Sequence, residues 1–178
     1  MALSLTTISA SCQSGSDSTA GPSFGTEPER VVRPGVTRID PGGLPEGGSE
    51  GVLYVPVYSH VYTSDVARPF LLAVTLAVRN TDPVSPRFLT SVRYFDSDGR
   101  LVRDYVPKPL RIAPMAAAEF FVAQSDTHGG SSASFLVTWR AGSAGSQGPL
   151  AEAVMVGTAT NQVVSFTSQG RPAAGVPR

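Results

Sequence analysis

The clearest pattern of hydrophobic and polar positions lies in residues 68–83, RPFLLAVTLAVRNTDP. Large apolar side chains occupy every second position, and smaller or polar residues alternate with them. This large apolar set comprises Phe70, Leu72, Val74, Leu76 and Val78. A period of two with one large apolar face is typical of a half-buried β-strand. The run stops at NTDP, where Asn and Asp favour a turn and Pro disfavours helical geometry in the residue before it. The pattern predicts a long central strand of an antiparallel sheet.

Short alternating segments of the same kind, separated by Gly, Pro, Asn and Asp, continue from about residue 51 to residue 168. No stretch keeps a helical period. The segments therefore predict an all-β fold, a two-sheet antiparallel immunoglobulin-like β-sandwich with Trp139 in its core and a disordered N-terminal segment. Strands are expected at residues 53–62, 70–79, 88–95, 100–106, 110–113, 118–124, 134–140, 152–158 and 163–168.

The composition divides the chain into three parts. Residues 1–49 are predicted to be a disordered tether, because residues 13–49 are rich in Ser, Gly, Pro, Thr and Glu and hold few large apolar side chains. Within that tether, residues 31–39 are the stretch expected to dock on the domain. Residues 50–171 form the predicted β-sandwich domain, and residues 172–178 form a flexible tail.

The charge balance excludes some classes of function. Lys+Arg and Asp+Glu both number 14 among 178 residues, so the formal net charge is zero. A protein that binds nucleic acid by neutralising phosphates, or an acidic membrane through a polybasic surface, carries an excess of Lys and Arg. No apolar run is long enough to span a bilayer as a helix. We therefore expect no nucleic-acid partner and no transmembrane helix.

The single cysteine, Cys12, is a candidate for lipidation. It lies in LTTISASCQSGS at residues 5–16, where small residues precede the cysteine and a Ser/Gly-rich segment follows it, as in the cleavage region of a bacterial lipoprotein signal. No Lys or Arg precedes it, and the apolar stretch is short for a secretory signal. Either translation starts upstream and Met1 lies inside the signal, or the cysteine is incidental in a disordered N-terminus.

Six blocks of the domain, in order, carry a family resemblance: VPVYSHVY, RPFLLAVTLAVRNTDP, LTSVRYFDSDGRLVRDYV, LRIAPMAAAEFFV, DTHGGSSASFLVTW and AEAVMVGTATNQVVSFTSQGR. From residue 53 to residue 171 the chain resembles the bacterial domain-of-unknown-function family 3124. The resemblance implies a small exported or lipid-anchored bacterial protein with no established activity and no assigned catalytic residues. It favours the lipoprotein interpretation of Cys12 and a periplasmic or membrane-anchored location.

Four ring-bearing residues form an aromatic stripe on the first predicted strand: Tyr54, Tyr58, His60 and Tyr62. They alternate with aliphatic residues, so they are expected to project from the face opposite the core. Rings with polar edges can stack on sugars, peptides or bases, which makes the stripe the main candidate for ligand binding. The alternative is that the rings pack under the N-terminal segment or against a second subunit.

A glycine-rich loop places a carboxylate, an imidazole and free backbone amides together at Asp126, His128, Gly129 and Gly130. Such amides can cradle an anion, and His-Gly-Gly is similar to the oxyanion loop of some esterases. The Gly-x-Ser-x-Gly nucleophile elbow is absent, and two of the three roles of a catalytic triad have no identified residue. These absences favour a turn-rich connection with a solvated histidine.

Metal and cofactor sites are not predicted. Asp82, Asp96 and Asp98 carry the oxygen ligands that Ca²⁺ prefers, but the DSDG turn lacks the later bidentate Glu of a full Ca²⁺ loop. Turn chemistry alone explains these aspartates. The domain holds two histidines and no cysteine, which disfavours a structural Zn²⁺ site.

Together these observations predict a non-enzymatic, exported β-sandwich that acts as a binding or structural module of the cell envelope. Its partner would be an envelope protein or a small ligand. One alternative is a small-ligand or metal-ion binding protein that uses the aromatic stripe, and a weaker one is a hydrolase that uses the His128 loop. An enzyme needs a nucleophile and a base in one concave pocket, whereas a stacking site needs coplanar, exposed rings.

Overall fold

The structure is a computed structural model that describes residues 30–31, 33–63, 65–159 and 161–173, with side chains from residue 33 onward. Cys12 and residues 174–178 lie outside this part of the chain. The predictions made for the first 29 residues, for lipidation and for most of the tail therefore stay predictions.

Within the described ranges the chain forms fourteen β-strands, two single-turn 3-10 helices at Pro41–Gly43 and Gly130–Ser132, and no α-helix. The strands are β1 (Arg30–Val31), β2 (Val36–Arg38), β3 (Glu50–Val57), β4 (His60–Val61), β5 (Phe70–Leu71), β6 (Ala73–Arg79), β7 (Arg87–Phe95), β8 (Leu101–Asp104), β9 (Leu110–Ile112), β10 (Ala117–Val122), β11 (Ala133–Ala141), β12 (Leu150–Ala159), β13 (Gln162–Gln169) and β14 (Arg171–Pro172).

The strands form two main sheets and one short ribbon. The smaller sheet has five strands in the order β1-β10-β6-β12-β13. The larger sheet has seven, in the order β14-β3-β11-β7-β9-β2 with β8 also paired to β7, and β4 pairs with β5. Every pairing among the described strands is antiparallel. The prediction of an all-β fold with antiparallel sheets is confirmed.

The strand at the centre of the smaller sheet is β6, which lies between β10 and β12. Its large apolar side chains are fully buried, as the alternating pattern predicts, and Phe70 and Leu72 continue the same buried row before it. The strand ends where Asn80 turns the chain. The side-chain Nδ2 atom of Asn80 donates to the carbonyl oxygens of Ser85 and Ala113, at 2.9 and 3.0 Å. The central position predicted for this segment is confirmed.

Both sheets contribute to one hydrophobic core. Leu76, Phe120 and Met155 enter it from the smaller sheet. The larger sheet contributes Val55 and Phe135, and all five side chains have no exposed surface. Trp139 is 8% exposed and belongs to the same core, as predicted. The two sheets therefore enclose the core between their inner faces.

The first long strand differs from the prediction. Residues 53–62 were expected to form one strand, but β3 ends at Val57 and β4 begins at His60. Ser59 lies in the break and is fully buried. Its N–H donates to the carbonyl oxygen of Gly130 at 3.0 Å, and its carbonyl oxygen accepts from Leu72 N–H at 2.8 Å. Because these bonds run to partners outside the β3–β11 ladder, the chain leaves the larger sheet at this point.

The two-sheet structure extends to the N-terminal side of residue 50. Strand β2 pairs with β9, where Val36 lies opposite Ile112 and is 6% exposed. Ser49 accepts a hydrogen bond from Ala141 N–H at 2.8 Å. Among the described residues, no helix is long and apolar enough to cross a membrane.

Candidate functional site

A row of side chains crosses the outer face of the larger sheet at Tyr54. Tyr54 on β3 lies opposite Arg171 of β14 on one side and opposite Leu136 of β11 on the other. Leu136 lies opposite Arg93 of β7, and Arg93 lies opposite Asp104 of β8. Side chains directly opposite each other on antiparallel strands share one face. These five residues therefore form one line, which we call the Tyr54 row.

The Tyr54 row combines an apolar centre with charged ends. Leu53 and Val55 point into the core, so the pleat turns Tyr54 outward, where it is 43% exposed. Leu136 beside it is half-buried. Arg93 and Asp104 form an ion pair at 3.5 Å with both side chains well exposed. Such an exposed pair contributes little to stability.

The other three members of the aromatic stripe lie elsewhere. Tyr58 follows the end of β3 and packs edge-on against Phe166 of β13, with ring centroids 5.7 Å apart. Both rings pack against the core. His60 and Tyr62 form a separate edge-on pair with centroids 5.3 Å apart, and the His60 Nε2 atom is 3.4 Å from the Tyr62 hydroxyl.

The four rings therefore do not share one face. The break at Ser59 turns the chain between Tyr58 and His60, and the ring planes within the two contacting pairs are inclined by 64° and 70°. Tyr54 and Tyr62 are the exposed members of the stripe, whereas Tyr58 is half-buried. A stacking platform of four coplanar rings is not assembled.

The glycine-rich loop brings Asp126 and His128 together. The Asp126 Oδ1 atom accepts hydrogen bonds from the His128 backbone N–H at 3.1 Å and from its ring Nδ1 at 2.8 Å. The Oδ2 atom of Asp126 accepts from the Arg103 guanidinium at 3.2 Å. The Asp126 side chain is 12% exposed and the His128 side chain is 80% exposed. With Nδ1 donating to the carboxylate, Nε2 is the ring atom able to accept a proton.

Gly129 packs against a buried pair of hydroxyl groups. Ser59 Oγ and the Tyr94 hydroxyl are 2.7 Å apart, and both residues are fully buried. A Cβ atom placed on Gly129 would lie 1.8 Å from the Tyr94 hydroxyl oxygen. Burial raises the pKa of Tyr94, although the Ser59 hydrogen bond opposes that shift. This glycine is therefore required by close packing.

The backbone of the same loop is bonded within the protein. Gly130 has a φ of +75°, and its N–H donates to the carbonyl oxygen of Thr127 at 3.2 Å. Ser97 Oγ donates to the carbonyl oxygen of Gly129 at 3.1 Å and accepts from Ser132 N–H at 3.0 Å. Because the Gly130 amide is already occupied, the loop offers fewer free N–H groups to an anion than the sequence pattern predicts.

Arg87 is a buried charge that no local sequence pattern indicates. Its side chain is 5% exposed, and it contacts Asp82 Oδ2 at 3.0 Å and donates from Nε to the carbonyl oxygen of Gln147 at 2.9 Å. Hydrogen bonds from the Ser85 and Val84 amides, and the nearby Arg87, hold the pKa of Asp82 below its usual value. A cavity of about 270 Å³ opens beside them and is lined by Thr81, Asp82, Pro83, Arg87, Ser146 and Gln147.

The candidate cation ligands lie in separate turns. Asp82 Oδ1 accepts from the amides of Val84 and Ser85, both at 2.8 Å. Asp96 Oδ1 accepts from the amides of Asp98 and Arg100, at 2.9 and 2.8 Å. Within the described ranges, no group of three or more His, Cys, Asp or Glu side chains is placed to hold a metal ion. These carboxylates satisfy the backbone of their own turns.

Sequence reasoning missed Ser59, Tyr94 and Arg87 as interacting polar residues. Tyr94 lies in the strand predicted at residues 88–95 and is fully buried, but no local pattern shows that its hydroxyl meets Ser59. The bond joins residues 35 positions apart. The only sequence signal near Arg87 is the Asn-Thr-Asp-Pro turn before it, which predicts a turn and does not predict a buried ion pair.

The geometry defines an all-β protein of two antiparallel sheets around one core, with an exposed polar and aromatic row on the larger sheet. Residues 50–173 match the profile of the family described as "Protein of unknown function (DUF3124)". The chain belongs to that family, and the resemblance noted in the sequence is confirmed.

A solved structure described as "Crystal Structure of Thermotoga maritima 1070" is also similar, at 10% sequence identity and a TM-score of 0.42. The match covers 74% of this chain and 99% of that chain. A similarity at this level supports no conclusion about fold or function. No curated protein matches the chain.

Proposed function

We propose that the protein is a non-enzymatic binding module of the bacterial cell envelope that contacts a protein partner through the Tyr54 row. The observation that supports it is the register across the larger sheet, which lines up an exposed Tyr54, a half-buried Leu136 and two arginines. Tyr and Arg are enriched in protein interfaces and at their energetic centres. A complementary partner would place an apolar group on Tyr54 and Leu136, a carboxylate near Arg171, and groups of both charges near the Arg93–Asp104 pair.

The proposal includes export, with the protein either anchored through a lipid on Cys12 or free in the periplasm. The residues around Cys12 support this part, because small residues precede the cysteine and a Ser/Gly-rich segment follows it. The proposal also assigns the domain to the immunoglobulin-like sandwiches, a group that shares an architecture without always sharing one strand order. Two antiparallel sheets around one core support that assignment.

The binding proposal is tested by placing a photoreactive amino acid at position 54 in the bacterium that makes the protein. Position 62 is the matched control, because Tyr62 is also an exposed tyrosine, at 53%, but lies off the row. A discrete protein adduct from position 54 alone is expected. Tyr54→Ala should then weaken binding of the purified adduct protein about tenfold, about 1.4 kcal/mol, while Tyr62→Ala should not. Equal adducts from both positions, or none, would refute the proposal.

The location is tested separately by the intact mass of the protein from membrane and soluble fractions. A membrane form that begins at Cys12 with an added diacylglyceryl group would establish a lipoprotein. A soluble form that still carries Met1 or Ala2 would contradict export, and the Tyr54 row would then have to serve a cytoplasmic partner.

A second candidate, a hydrolase, is favoured by one observation: Asp126 orients the ring of the exposed His128 at 2.8 Å, as in two members of a catalytic triad. Hydrolysis of small activated esters should then be lost in His128→Ala and retained in His60→Ala, which removes the other histidine of the chain. Equal rates for both variants and the parent would exclude this candidate.

A further inference from the structure

Strand β13 forms an open edge of the smaller sheet. It pairs with β12 from Glu152 opposite Gln169 to Ala159 opposite Gln162, with no shift of register. Among the described residues, no strand pairs with its other side. One side of an eight-residue strand therefore presents backbone N–H and C=O groups that belong to no ladder.

The other outermost strands within the described ranges are short or charged. Strand β8 has four residues, of which two are Arg103 and Asp104. Strand β1 has two residues and β2 has three, of which one is Arg38. Strand β14 also has two, and one of them is Pro172, which cannot donate to a ladder. Very short edge strands, charges, prolines and bulges are the features that prevent strands from pairing between molecules. Strand β13, with the sequence QVVSFTSQ, has no charge, no proline and no bulge.

The side chains of β13 divide between the two faces of the sheet. Val164 and Phe166 pack against the core, so the strand is held firmly in place. On the outer face Val163 is 72% exposed. It lies opposite Thr158 of β12 and diagonal to Val156, which is 38% exposed. An exposed apolar patch therefore reaches the open edge and would continue onto any strand added there.

We propose that a second copy of this chain pairs with β13, so that the two copies of β13 lie antiparallel and the two five-stranded sheets become continuous. Antiparallel pairing about a two-fold axis is self-complementary, because each copy gives and receives the same backbone hydrogen bonds. A strand without charge meets its own copy without repulsion, whereas like charges directly opposite each other would destabilise the pair.

Symmetry restricts the register of this dimer. A two-fold axis perpendicular to the sheet keeps the outer face of one copy on the same side as the outer face of the other. Residues directly opposite each other in an antiparallel pair must share a face. The two-fold axis must therefore pass through one residue position of β13, so that this residue lies opposite the same residue of the second copy. If the axis passed between two positions, an outward side chain would lie opposite an inward one. Val163 then meets an outward residue of the second copy.

Sedimentation equilibrium of the full chain under reducing conditions tests the proposal, since reductant excludes a disulfide through Cys12. A single strand pair is a small interface, so we expect a reversible monomer–dimer equilibrium between micromolar and submillimolar concentration. Val163→Lys and Thr167→Lys should each weaken dimerisation at least tenfold. The matched control is Val84→Lys, because Val84 is 80% exposed and lies away from β13. Its dissociation constant should equal that of the parent.

Hydrogen exchange of the unmodified chain gives a second measurement that does not depend on how the variants fold. Amides of β13 should exchange more slowly at high than at low protein concentration, while those of the exposed turn at Val84 should not change. A parent that stays monomeric at submillimolar concentration would overturn the proposal. The proposal would also be overturned if the β13 variants and Val84→Lys had equal dissociation constants and β13 gained no protection from hydrogen exchange at high concentration.

Discussion

Replacing Gly129 with alanine should destabilise the fold through one buried contact. The new Cβ would lie 1.8 Å from the Tyr94 hydroxyl oxygen and 2.6 Å from Ser59 Oγ. Both neighbours are fully buried, so neither can swing into solvent without breaking the hydrogen bond between them. The backbone of Gly129, at φ −69° and ψ −27°, suits alanine equally well. The predicted effect therefore comes from packing and not from backbone strain.

The size of the effect follows from three contributions. Overpacking a filled core costs about 1 to 3 kcal/mol. Loss of the Ser59–Tyr94 hydrogen bond adds about 1 kcal/mol. The glycine-to-alanine change also restricts the unfolded chain, which stabilises the folded state by about 0.4 to 1 kcal/mol. We expect a net loss of about 1 to 3.6 kcal/mol in the free energy of unfolding, which at about 2 to 4 °C per kcal/mol lowers the melting temperature by roughly 2 to 14 °C.

The assay is chemical and thermal unfolding of Gly129→Ala beside Gly42→Ala, because a Cβ on Gly42 would meet nothing within 4 Å. The control should be as stable as the parent or slightly more stable. Adding Tyr94→Phe removes the nearest contact, so Gly129→Ala should cost less in that background. Unfolding of Gly129→Ala and Gly42→Ala at the same denaturant concentration would refute a close contact between Gly129 and Tyr94.

Three further predictions concern the core and the turns. Val74→Asp should abolish cooperative melting seen by circular dichroism, because it places an unpaired carboxylate at a fully buried position of the central strand; an unchanged melt would contradict that placement. The lowered pKa of Asp82 means that its stabilising contribution is present above about pH 4 and is lost as pH falls through the folded-state pKa. Asp82→Asn should therefore be less stable than the parent at pH 7 and converge with it in acid, and an equal difference at both pH values would argue against the ion pair. Burial raises the pKa of Tyr105 to about 12, so the stability that depends on its neutral hydroxyl is fully present below about pH 10 and is lost as pH rises toward 12. The denaturant midpoint of Tyr105→Phe should therefore fall less steeply across that pH range than the midpoint of the parent.

Features that depend on neighbouring residues were predicted well. The alternation in residues 70–79 predicted the buried face of β6, because a pleated strand sends successive side chains to opposite faces whatever it packs against. The DSDG turn is equally local: Gly99 has a φ of +77°, and Asp96 accepts from the Asp98 and Arg100 amides as such turns require.

Features that depend on distant strands were not predicted from the sequence. The aromatic stripe was expected on one strand because its residues alternate in sequence. The buried Ser59 instead bonds to Gly130 and Leu72, and these bonds end the strand. No pattern within residues 53–62 contains information about either partner. The stripe therefore separates into an exposed Tyr54, a half-buried Tyr58 and the His60–Tyr62 pair.

By itself the sequence determined that the chain is all-β, where most of its strands and turns lie, which face of the central strand is buried, and which family it resembles. These follow from side-chain period and turn chemistry, which act over a few residues. Only the tertiary structure decided that Tyr54 lines up with Leu136, that Gly129 lies against Tyr94, and that β13 is an outermost strand among those the structure describes. Strand pairing joins segments tens of residues apart, and its register comes from packing of the whole core.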